Sequence, residues 1–405
     1  MSDGKLKYFS TIISYLRDNN LYPHIPEITG PSTAPEITIE GKKYISFCSN
    51  NYLGLANNSE IKLAVQQAVE KYGVGSGSTR LLSGSLDIQM QFETELSKFL
   101  QAKSSVTFSS GFLANTSVIR YLSDPFPHLP IVKKDKPGAI FSDQLNHASI
   151  VDAVRLSYAE RVIFKHKNYD ELEKELRRRK KVRKAIVTDG VFSMDGDFAD
   201  LPRLVELSQT YDALLYVDDA HGAGVLGPNG EGTAAHLGVG GKVDLVMASF
   251  TKAWGNIGGY VAAASKDLAD YIRVTGRGYI FSDPIPPAFV AGLLKTLEII
   301  RDGHHLRKQL KENASYLRQG LARLGLETIP GETAIVPLMV HSEKKVIELS
   351  DGLFKEGILA PAIRRPAVEE GKERLRLTTM ATHTKLHIDI LLENIEKIGK
   401  GLKKI

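Results

Sequence analysis

The sequence contains one cysteine, Cys48, and has no long uninterrupted apolar run. A single cysteine excludes an internal disulfide and fits a reducing compartment, so we expect a cytoplasmic protein. Its apolar runs fall well short of the roughly 20 residues that a membrane-spanning helix needs, so no membrane span is expected. The first residues include acidic Asp3 and lack an apolar core and a small-residue cleavage pattern, so we predict no secretory signal peptide.

The sequence also lacks a strong charge bias, because 52 basic and 47 acidic residues give a net charge of only +5. The densest basic run, residues 177–184, follows the helical pattern YDELEKELRRR, and basic residues suit the carboxyl end of a helix. Contact with an anionic ligand is the alternative. No nucleic-acid-binding module accompanies this run, so we predict no nucleic-acid partner.

What the sequence has in quantity is an alternation of apolar strand patterns with amphipathic helix patterns. This alternation predicts an α/β fold with a mostly parallel central sheet flanked by helices. The composition changes near Pro284, after which helices precede short strands, as in a smaller α+β lobe. We therefore predict three units: residues 1–48 (helix, arm and hairpin), 49–284 (large domain) and 285–405 (carboxyl-terminal α+β domain).

The most informative stretch is residues 244–260, DLVMASFTKAWGNIGGY, in which Lys252 follows a short apolar strand and precedes a glycine-rich turn. Lysine is almost never buried unless it is paired or used chemically. Packing between Phe250 and Trp254 would desolvate the amine, lower its pKa and make it a nucleophile. A surface lysine at a strand end is the alternative.

Other polar residues also follow predicted strands. In parallel α/β sheets, ligands bind beyond the carboxyl ends of the strands, so these side chains are expected to converge. A strand that ends in Ser-Ser-Gly and enters a helix also offers free N–H groups to a phosphate, although capped helices after strands are common. A lone histidine is more often structural than functional. The residues at these strand ends are Ser110, His147, Ser193, Asp218, His221, Ser249 and Lys252.

Together these residues match the chemical needs of pyridoxal 5′-phosphate (PLP). The Ser110-Gly111-Phe112 turn offers an anion cradle, and His147 a flat partner for the ring. Asp218 would keep the ring nitrogen protonated, His221 would bond the phenolic oxygen, and Lys252 would supply the amine.

Several motifs resemble those of the α-oxoamine synthases, the fold type I PLP enzymes that join an amino acid to an acyl-CoA. The resemblance spans roughly residues 47–384 and keeps the order of the motifs. It rests on SNNYLGLA (49–56), LNHAS (145–149), TDGVFSMDGD (188–197), VDDAHG (217–222) and the lysine segment.

The resemblance implies that Lys252 is the Schiff-base lysine and that Asp218 partners the pyridine nitrogen. It also implies that His221 bonds the phenolic oxygen beside Ser193. His147 would stack on the ring and could polarise the thioester carbonyl.

The same resemblance implies a homodimer with a shared active site. The phosphate would be bound by Ser110, by the backbone of Gly111 and Phe112, by Ser249 and by Ser282 of the partner subunit.

Asn50 and Arg376 would hold substrate, with Arg376 binding the amino acid's carboxylate through a two-pronged contact. Arg374 lies on the same strand face, so the choice of Arg376 rests on the resemblance. The implied reaction condenses glycine, alanine or serine with an acyl-CoA. It releases CoA and usually CO2 and leaves an α-amino ketone, with no metal involved.

Two positions depart from the family pattern. Trp254 is larger than usual and is expected to reshape the region near Lys252, while Asp283 places an acid near the expected phosphate edge. Glycine C-acetyltransferase and 8-amino-7-oxononanoate synthase are both compatible branches. An aminotransferase or decarboxylase of the same fold is the alternative enzyme, and a non-catalytic subunit of a larger synthase is a more remote one.

Overall fold

The computed structural model describes residues 4–19, 21–22, 25–124 and 136–401. Numbered in chain order, the strands are β1 (Ile28–Thr29), β2 (Glu36–Ile39), β3 (Lys42–Ser46), β4 (Ser104–Phe108), β5 (Ala139–Asp143), β6 (Glu160–Phe164), β7 (Lys184–Asp189), β8 (Ala213–Asp218), β9 (Leu245–Ser249), β10 (Gly259–Ala263), β11 (Ile335–Met339), β12 (Ile358–Leu359), β13 (Ala362–Ile363) and β14 (Arg374–Thr378).

The helices are numbered in the same way. They are α1 (Lys7–Asp18), α2 (Ser59–Tyr72), α3 (Arg80–Ser83), α4 (Asp87–Phe99), α5 (Gly111–Ser123), α6 (Ala148–Leu156), α7 (Tyr169–Arg178), α8 (Leu201–Thr210), α9 (Thr233–His236), α10 (Lys266–Thr275), α11 (Arg277–Ile280), α12 (Pro287–Asp302), α13 (His304–Arg323), α14 (Glu343–Lys355) and α15 (Lys385–Gly401). A 3₁₀ turn covers Leu55–Asn57. No helix in the described ranges is both long and apolar enough to cross a bilayer.

The central sheet has seven strands in the order β4-β10-β9-β8-β7-β5-β6. Strand β10 runs antiparallel to both of its neighbours, and the other strands share one direction. Consequently, the carboxyl ends of six strands meet at one edge of the sheet. This is the mostly parallel architecture that the alternation of strand and helix patterns predicts.

Both faces of the inner strands of this sheet are buried, which explains the apolar runs within them. On β7, Ala185 and Val187 contribute to the apolar layer under α5, α6 and α10. Ile186, between them, points to the opposite layer, under α7 and α8. The period of two along the strand therefore supplies two cores from one segment.

The smaller lobe is an α+β unit, as the composition change predicts. It contains a three-stranded antiparallel sheet, β11-β14-β13, whose core includes residues of α13, α14 and α15. The amino-terminal hairpin β2–β3 joins β12 of this lobe in a second sheet through the parallel pair Ile45 and Ile358. The division into units at residues 48 and 284 stays a prediction.

Two strands of the central sheet were not predicted from the sequence, β6 and β10. Strand β10 begins at Gly259, the last glycine of the glycine-rich turn, so the turn obscures where the strand starts. The glycine-rich loop at residues 73–85 contains the one-turn helix α3.

The basic run at the end of α7 follows the expectation for a helix terminus, because its arginines bond acidic neighbours. The pairs are Arg177 with Glu173 at 3.1 Å, Arg178 with Glu175 at 2.8 Å and Arg179 with Glu160 at 2.6 Å.

Candidate active site

A cavity of about 230 Å³ lies at the edge where the parallel strands end. Nine of the residues predicted from the sequence line it, which places them together as the strand-end argument requires. Its lining residues are Ser110, Gly111, Phe112, Asn115, His147, Ser149, Asp189, Val191, Ser193, Asp218, Ala220, His221, Met247, Ser249, Thr251 and Lys252.

Lys252 enters this cavity from the segment that follows β9. Phe250 and Trp254, on either side of it, are fully buried and lie with ring centroids 5.1 Å apart. Desolvation by the surrounding protein lowers the pKa of the Lys252 amine, and Asp218 partly offsets this shift. Among the described residues, the Lys252 ammonium has no hydrogen bond or ion pair, so the amine is free to react.

Asp218 is the last residue of β8 and is 5% exposed. One carboxylate oxygen, Oδ1, accepts the backbone N–H of Ala220 at 3.1 Å. The other, Oδ2, accepts from Asn115 Nδ2 at 2.7 Å. The carboxylate is therefore held rigidly at the cavity wall, as a partner for a protonated ring nitrogen needs to be.

His147 caps the amino end of α6, and its side chain accepts from the backbone N–H of Ser149. Its own backbone N–H donates to Asp189 Oδ2 at 3.1 Å, and its Nδ1 lies 2.7 Å from Ser149 Oγ. Burial lowers the pKa of His147; Asp218 acts against this shift and Lys252 adds to it. The imidazole is therefore neutral near pH 7.

His221 lies three residues beyond Asp218, where the strand-end motif places it. Its Nδ1 lies 2.7 Å from the hydroxyl of Tyr52, which in turn is 3.2 Å from Asn50 Oδ1. Burial lowers the pKa of His221 well below its usual range. A neutral imidazole held from behind can meet a phenolic oxygen with its other nitrogen.

The amino end of α5 forms the anion cradle. Ser110 caps the helix through its hydroxyl, which accepts from the backbone N–H of Leu113 at 3.0 Å. The first-turn N–H groups have no carbonyl partner within the helix and carry its positive dipole end. A Cβ added to Gly111 would lie 3.1 Å from Cβ of Ser249, so only glycine lets these two segments approach without displacement.

Arg376 and Arg374 share a strand face but contact different partners in the structure. Arg376 Nη1 and Nη2 lie 3.2 and 3.3 Å from Asn50 Oδ1, and its Nε donates to the backbone oxygen of Ser193 at 2.5 Å. Arg374 is buried in an ion pair with Asp195. Arg376 thus joins Asn50 and Ser193 beside the cavity, whereas Arg374 is committed to a structural pair.

Three further residues singled out from the sequence lie away from this cavity. Trp254 is fully buried in an aromatic cluster with Phe250 and Tyr260 and does not line the cavity, so it supports the Lys252 segment from the core. Asp283 is exposed and is absent from the lining. Ser282, which is expected to serve the site of the other subunit, lies outside the cavity of its own chain.

Sequence reasoning missed several residues of this site. Asp189 ends β7 and could have been found by the strand-end rule applied to Asp218. Asn115 and Ser149 lie inside helices, one turn or less from the predicted positions, and Tyr52 lies in the SNNYLGLA motif. Only the fold shows which of these side chains meet.

The residues present fit PLP. The amine of Lys252, the carboxylate of Asp218 and the neutral imidazoles of His147 and His221 share one cavity wall with the amino end of α5. The tight approach of Gly111 to Ser249 leaves the cradle open to an anion rather than to side-chain atoms.

Comparison with known proteins agrees with this chemistry. The family model described as "Aminotransferase class I and II" matches residues 42–395. An 8-amino-7-oxononanoate synthase from Thermosipho melanesiensis is 42% identical over 395 residues, covering 97% of this chain and 98% of that protein. The enzyme of the same name from Petrotoga mobilis is 43% identical over 369 residues, covering 90% and 91%.

Solved structures agree as well. A serine palmitoyltransferase variant from S. paucimobilis, bound to PLP and myriocin, has a TM-score of 0.89 at 29% identity, covering 100% of this chain and 99% of that one. An 8-amino-7-oxononanoate synthase from Francisella tularensis has a TM-score of 0.75 at 28% identity, covering 89% and 99%.

The chain therefore belongs to the aminotransferase class I and II family of fold type I PLP enzymes. Within that family it is an α-oxoamine synthase, a PLP-dependent acyltransferase that condenses a small amino acid with an acyl thioester. The resemblance stated from the motifs is confirmed, and so are the predicted fold class, cofactor and reaction type.

Proposed function

We propose that this enzyme condenses alanine with the CoA thioester of a seven-carbon dicarboxylic acid to give 8-amino-7-oxononanoate. The product named by its relatives carries an amine on C8 next to a terminal methyl, which is the skeleton that alanine leaves after losing its carboxylate. Carbons 1–7 then come from the acyl group. The C–C bond forms between alanine Cα and the acyl carbon, the C–S bond breaks, and CoA thiol and CO2 leave.

One observation carries the proposed mechanism: Lys252, Asp218 and His147 converge on the same cavity beside the Arg376–Asn50 pair. Asp218 and His147 would hold the PLP ring, and the amino end of α5 with Ser249 would hold its phosphate. When bound, PLP supplies an aldehyde that an amine can hold and a protonated ring that accepts the electron pair left at Cα.

Lys252 would accept and return the Cα proton of the amino acid. An amine does this only when it is unprotonated, and its lowered pKa enlarges that fraction at neutral pH. Its freedom from hydrogen bonds within the described residues keeps the lone pair available.

Arg376 would bind the carboxylate of alanine. Its guanidinium is already oriented by Ser193 and Asn50, and the guanidinium fork matches a carboxylate with two parallel hydrogen bonds. Because the bound carboxylate is then fixed in space, the Cα–H bond can be aimed at Lys252.

His147 would serve the acyl substrate as well as the ring. Its Nδ1 is occupied by Ser149, so a proton on Nε2 is available to the thioester carbonyl oxygen. Donation there would stabilise the negative charge that develops when the acyl carbon is attacked.

A homodimer is part of the proposal. Ser282 lies outside its own cavity, and Phe281 beside it is 73% exposed. Phe112, at the cradle, is 48% exposed. Docking of a second copy over these residues would bury both rings and bring Ser282 of the partner subunit to the phosphate. A cytoplasmic location is also proposed, supported by the single cysteine.

The test is a matrix of purified enzyme and PLP with glycine, alanine or serine against acyl-CoAs from acetyl to palmitoyl. The seven-carbon dicarboxylic acyl-CoA completes the set, and free CoA thiol is the readout. Release that needs both substrates and is greatest with alanine and the dicarboxylic thioester supports the proposal. Greatest release with another pair overturns the substrate assignment, and conversion of an amino acid to its keto acid without CoA release would instead indicate an aminotransferase.

A further inference from the structure

Asn115 makes three side-chain hydrogen bonds inside the protein and is fully buried. Its Nδ2 donates to Asp218 Oδ2 at 2.7 Å and to Ser149 Oγ at 2.8 Å. Its Oδ1 accepts the hydroxyl proton of Tyr216 at 2.8 Å. An amide nitrogen carries two protons, so both are used, and the residue is a hub with a fixed direction at each contact.

Tyr216 sets the orientation of that amide. The phenol is fully buried, and burial raises the pKa of Tyr216 well above its usual range, so the hydroxyl keeps its proton. A flipped amide would place its oxygen against the Asp218 carboxylate, where two acceptors would face each other. The observed orientation is therefore the only one that pairs Tyr216 and Asp218 at once.

Ser149 passes this direction on to His147. Because Ser149 Oγ accepts from Asn115, its single proton is left for His147 Nδ1, which lies 2.7 Å away. The backbone N–H of Ser149 also points at Nδ1, at 3.3 Å. Two donors at Nδ1 require a lone pair there, so the ring proton of neutral His147 sits on Nε2.

We propose that Asn115 is a positioning residue that couples the two partners of the PLP ring. One amide holds the Asp218 carboxylate in place and, through Ser149, fixes His147 as the tautomer with its proton on Nε2. This inference rests on the proposed placement of PLP between Asp218 and His147. Asn115 would then position both Asp218, the partner of the ring nitrogen, and His147, the hydrogen-bond donor to the thioester carbonyl oxygen.

The tautomer is read directly by ¹⁵N NMR of the full-length chain carrying ¹⁵N-labelled histidine, with and without PLP. We expect His147 Nδ1 to give the signal of an unprotonated ring nitrogen in both samples. In Asn115→Ala and in Ser149→Ala the share of the Nδ1-protonated tautomer should rise about 5- to 10-fold, as loss of one ordinary hydrogen bond implies.

PLP affinity distinguishes the contact of Asn115 with Asp218 from its contact with Ser149. Asn115→Ala removes a hydrogen bond to a carboxylate, so the dissociation constant for PLP should rise about 10- to 100-fold. Ser149→Ala leaves the Asp218 contact intact and should change that constant less than about threefold, which is below the effect of one ordinary hydrogen bond. Tyr216→Phe keeps the ring and removes the hydroxyl. It should shift both the His147 tautomer and the PLP affinity in the same direction as Asn115→Ala, and it serves as the test if Asn115→Ala folds poorly.

The matched control is Asn313→Ala in the smaller lobe. Asn313 is also buried, and its Nδ2 donates to the backbone oxygens of Met380 and His383. This variant should be destabilised while the His147 signals and PLP affinity stay unchanged. Unchanged His147 signals and PLP affinity in both Asn115→Ala and Tyr216→Phe would overturn the coupling. Unchanged PLP affinity in Asp218→Ala would instead overturn the proposed placement of the cofactor.

Discussion

Asp189 and Asp218 lie side by side in register at the ends of the parallel strands β7 and β8, and both are buried. When two neighbouring carboxylates are buried, ionising both of them is costly, because the like charges repel in a low dielectric. Burial and the charge of Asp218 raise the pKa of Asp189 well above its usual range. Asp189 therefore tends to hold a proton, whereas the Asp218 carboxylate is fixed by hydrogen bonds from Ala220 and Asn115.

This asymmetry predicts different outcomes for two matched amide substitutions. Asp189→Asn replaces a carboxyl that already tends to be protonated, so turnover and PLP affinity should fall less than about tenfold. Asp218→Asn removes the ring-nitrogen charge partner, and PLP affinity should fall about 10- to 100-fold. Equilibrium titration with PLP measures both, and equal losses in the two variants would contradict the assignment.

Lys252→Ala should lose at least about 10²-fold in CoA release, because the group that moves the Cα proton is gone. The fold should survive, since Lys252 has no hydrogen bond or ion pair within the described residues. Steady-state assay and circular dichroism check the two halves of this expectation. Lys308→Ala, at a side chain that is 77% exposed, is the control. Near-normal turnover in Lys252→Ala would refute the mechanism.

Arg376→Ala should raise KM for the amino acid about 10- to 100-fold, because a charge-assisted hydrogen-bond pair to the carboxylate is lost. KM for the acyl thioester should change little. Arg374→Ala is the comparison within one strand face: it removes a buried side chain and leaves the half-buried Asp195 without its partner, so its main effect should be a lower melting temperature. If the two variants exchanged these phenotypes, the choice of Arg376 would be wrong.

His166 is expected to make the stability of the fold decrease at alkaline pH. Its Nδ1 lies 3.0 Å from Asp143 and its Nε2 lies 3.2 Å from Asp197, and these carboxylates raise its pKa to about 9 against the desolvation that opposes them. A histidine whose folded pKa exceeds its unfolded pKa stabilises fully below pH about 6.5 and loses that contribution as pH rises through 9.

The melting temperature of the wild type should therefore fall between pH 7 and 10 by more than that of His166→Asn, as measured by thermal unfolding with PLP present. The ion pairs also join the loop before His147 to the loop that carries Ser193. A decline of equal size in the variant would show that other groups cause the decrease in stability at alkaline pH.

His383 is expected to make the stability of the fold decrease at acid pH, because its pKa is lowered where that of His166 is raised. Its Nδ1 accepts the backbone N–H of Met380, and its Nε2 lies 3.0 Å from the backbone oxygen of Ser46. Burial lowers its pKa to about 4. Because the folded pKa is below the unfolded one, the stabilisation is present above pH about 6.5 and is lost as pH falls toward 4. Urea midpoints at pH 7 and pH 4.5 should differ more in the wild type than in His383→Gln.

The sequence allowed the site to be predicted to the extent that its residues follow strands in the chain. Ser110, Asp218 and Lys252 each stand at or just beyond a strand end, and parallel strands bring such ends together. Asn115 and Tyr52 could not be found in this way, because their roles depend on which side chains they meet after folding. The hydrogen bond from Asn115 to Asp218 joins two elements far apart in sequence, and no local pattern encodes it.

Two features of the structure were not evident from the sequence, for different physical reasons. Strand β10 was missed because it begins at Gly259 inside the glycine-rich stretch, which hides the strand preference of Tyr260 and Val261, and the sheet pairs it on both sides. Trp254 is larger than the residue usual in the family and was expected to reshape the region near Lys252. Residues 250–254 form a turn after β9, so Lys252 and Trp254 are not held to one face, and the tryptophan points into the core.

The pairing of Ile45 with Ile358 also dictates an order of events during synthesis. The hairpin β2–β3 leaves the ribosome early, yet its outer edge gains its partner only when the last part of the chain has emerged. The large sheet has all of its strands by Ala263 and can assemble first. A nascent chain that stalls between these points would carry an open strand edge, which is the kind of surface that chaperones and aggregating neighbours engage.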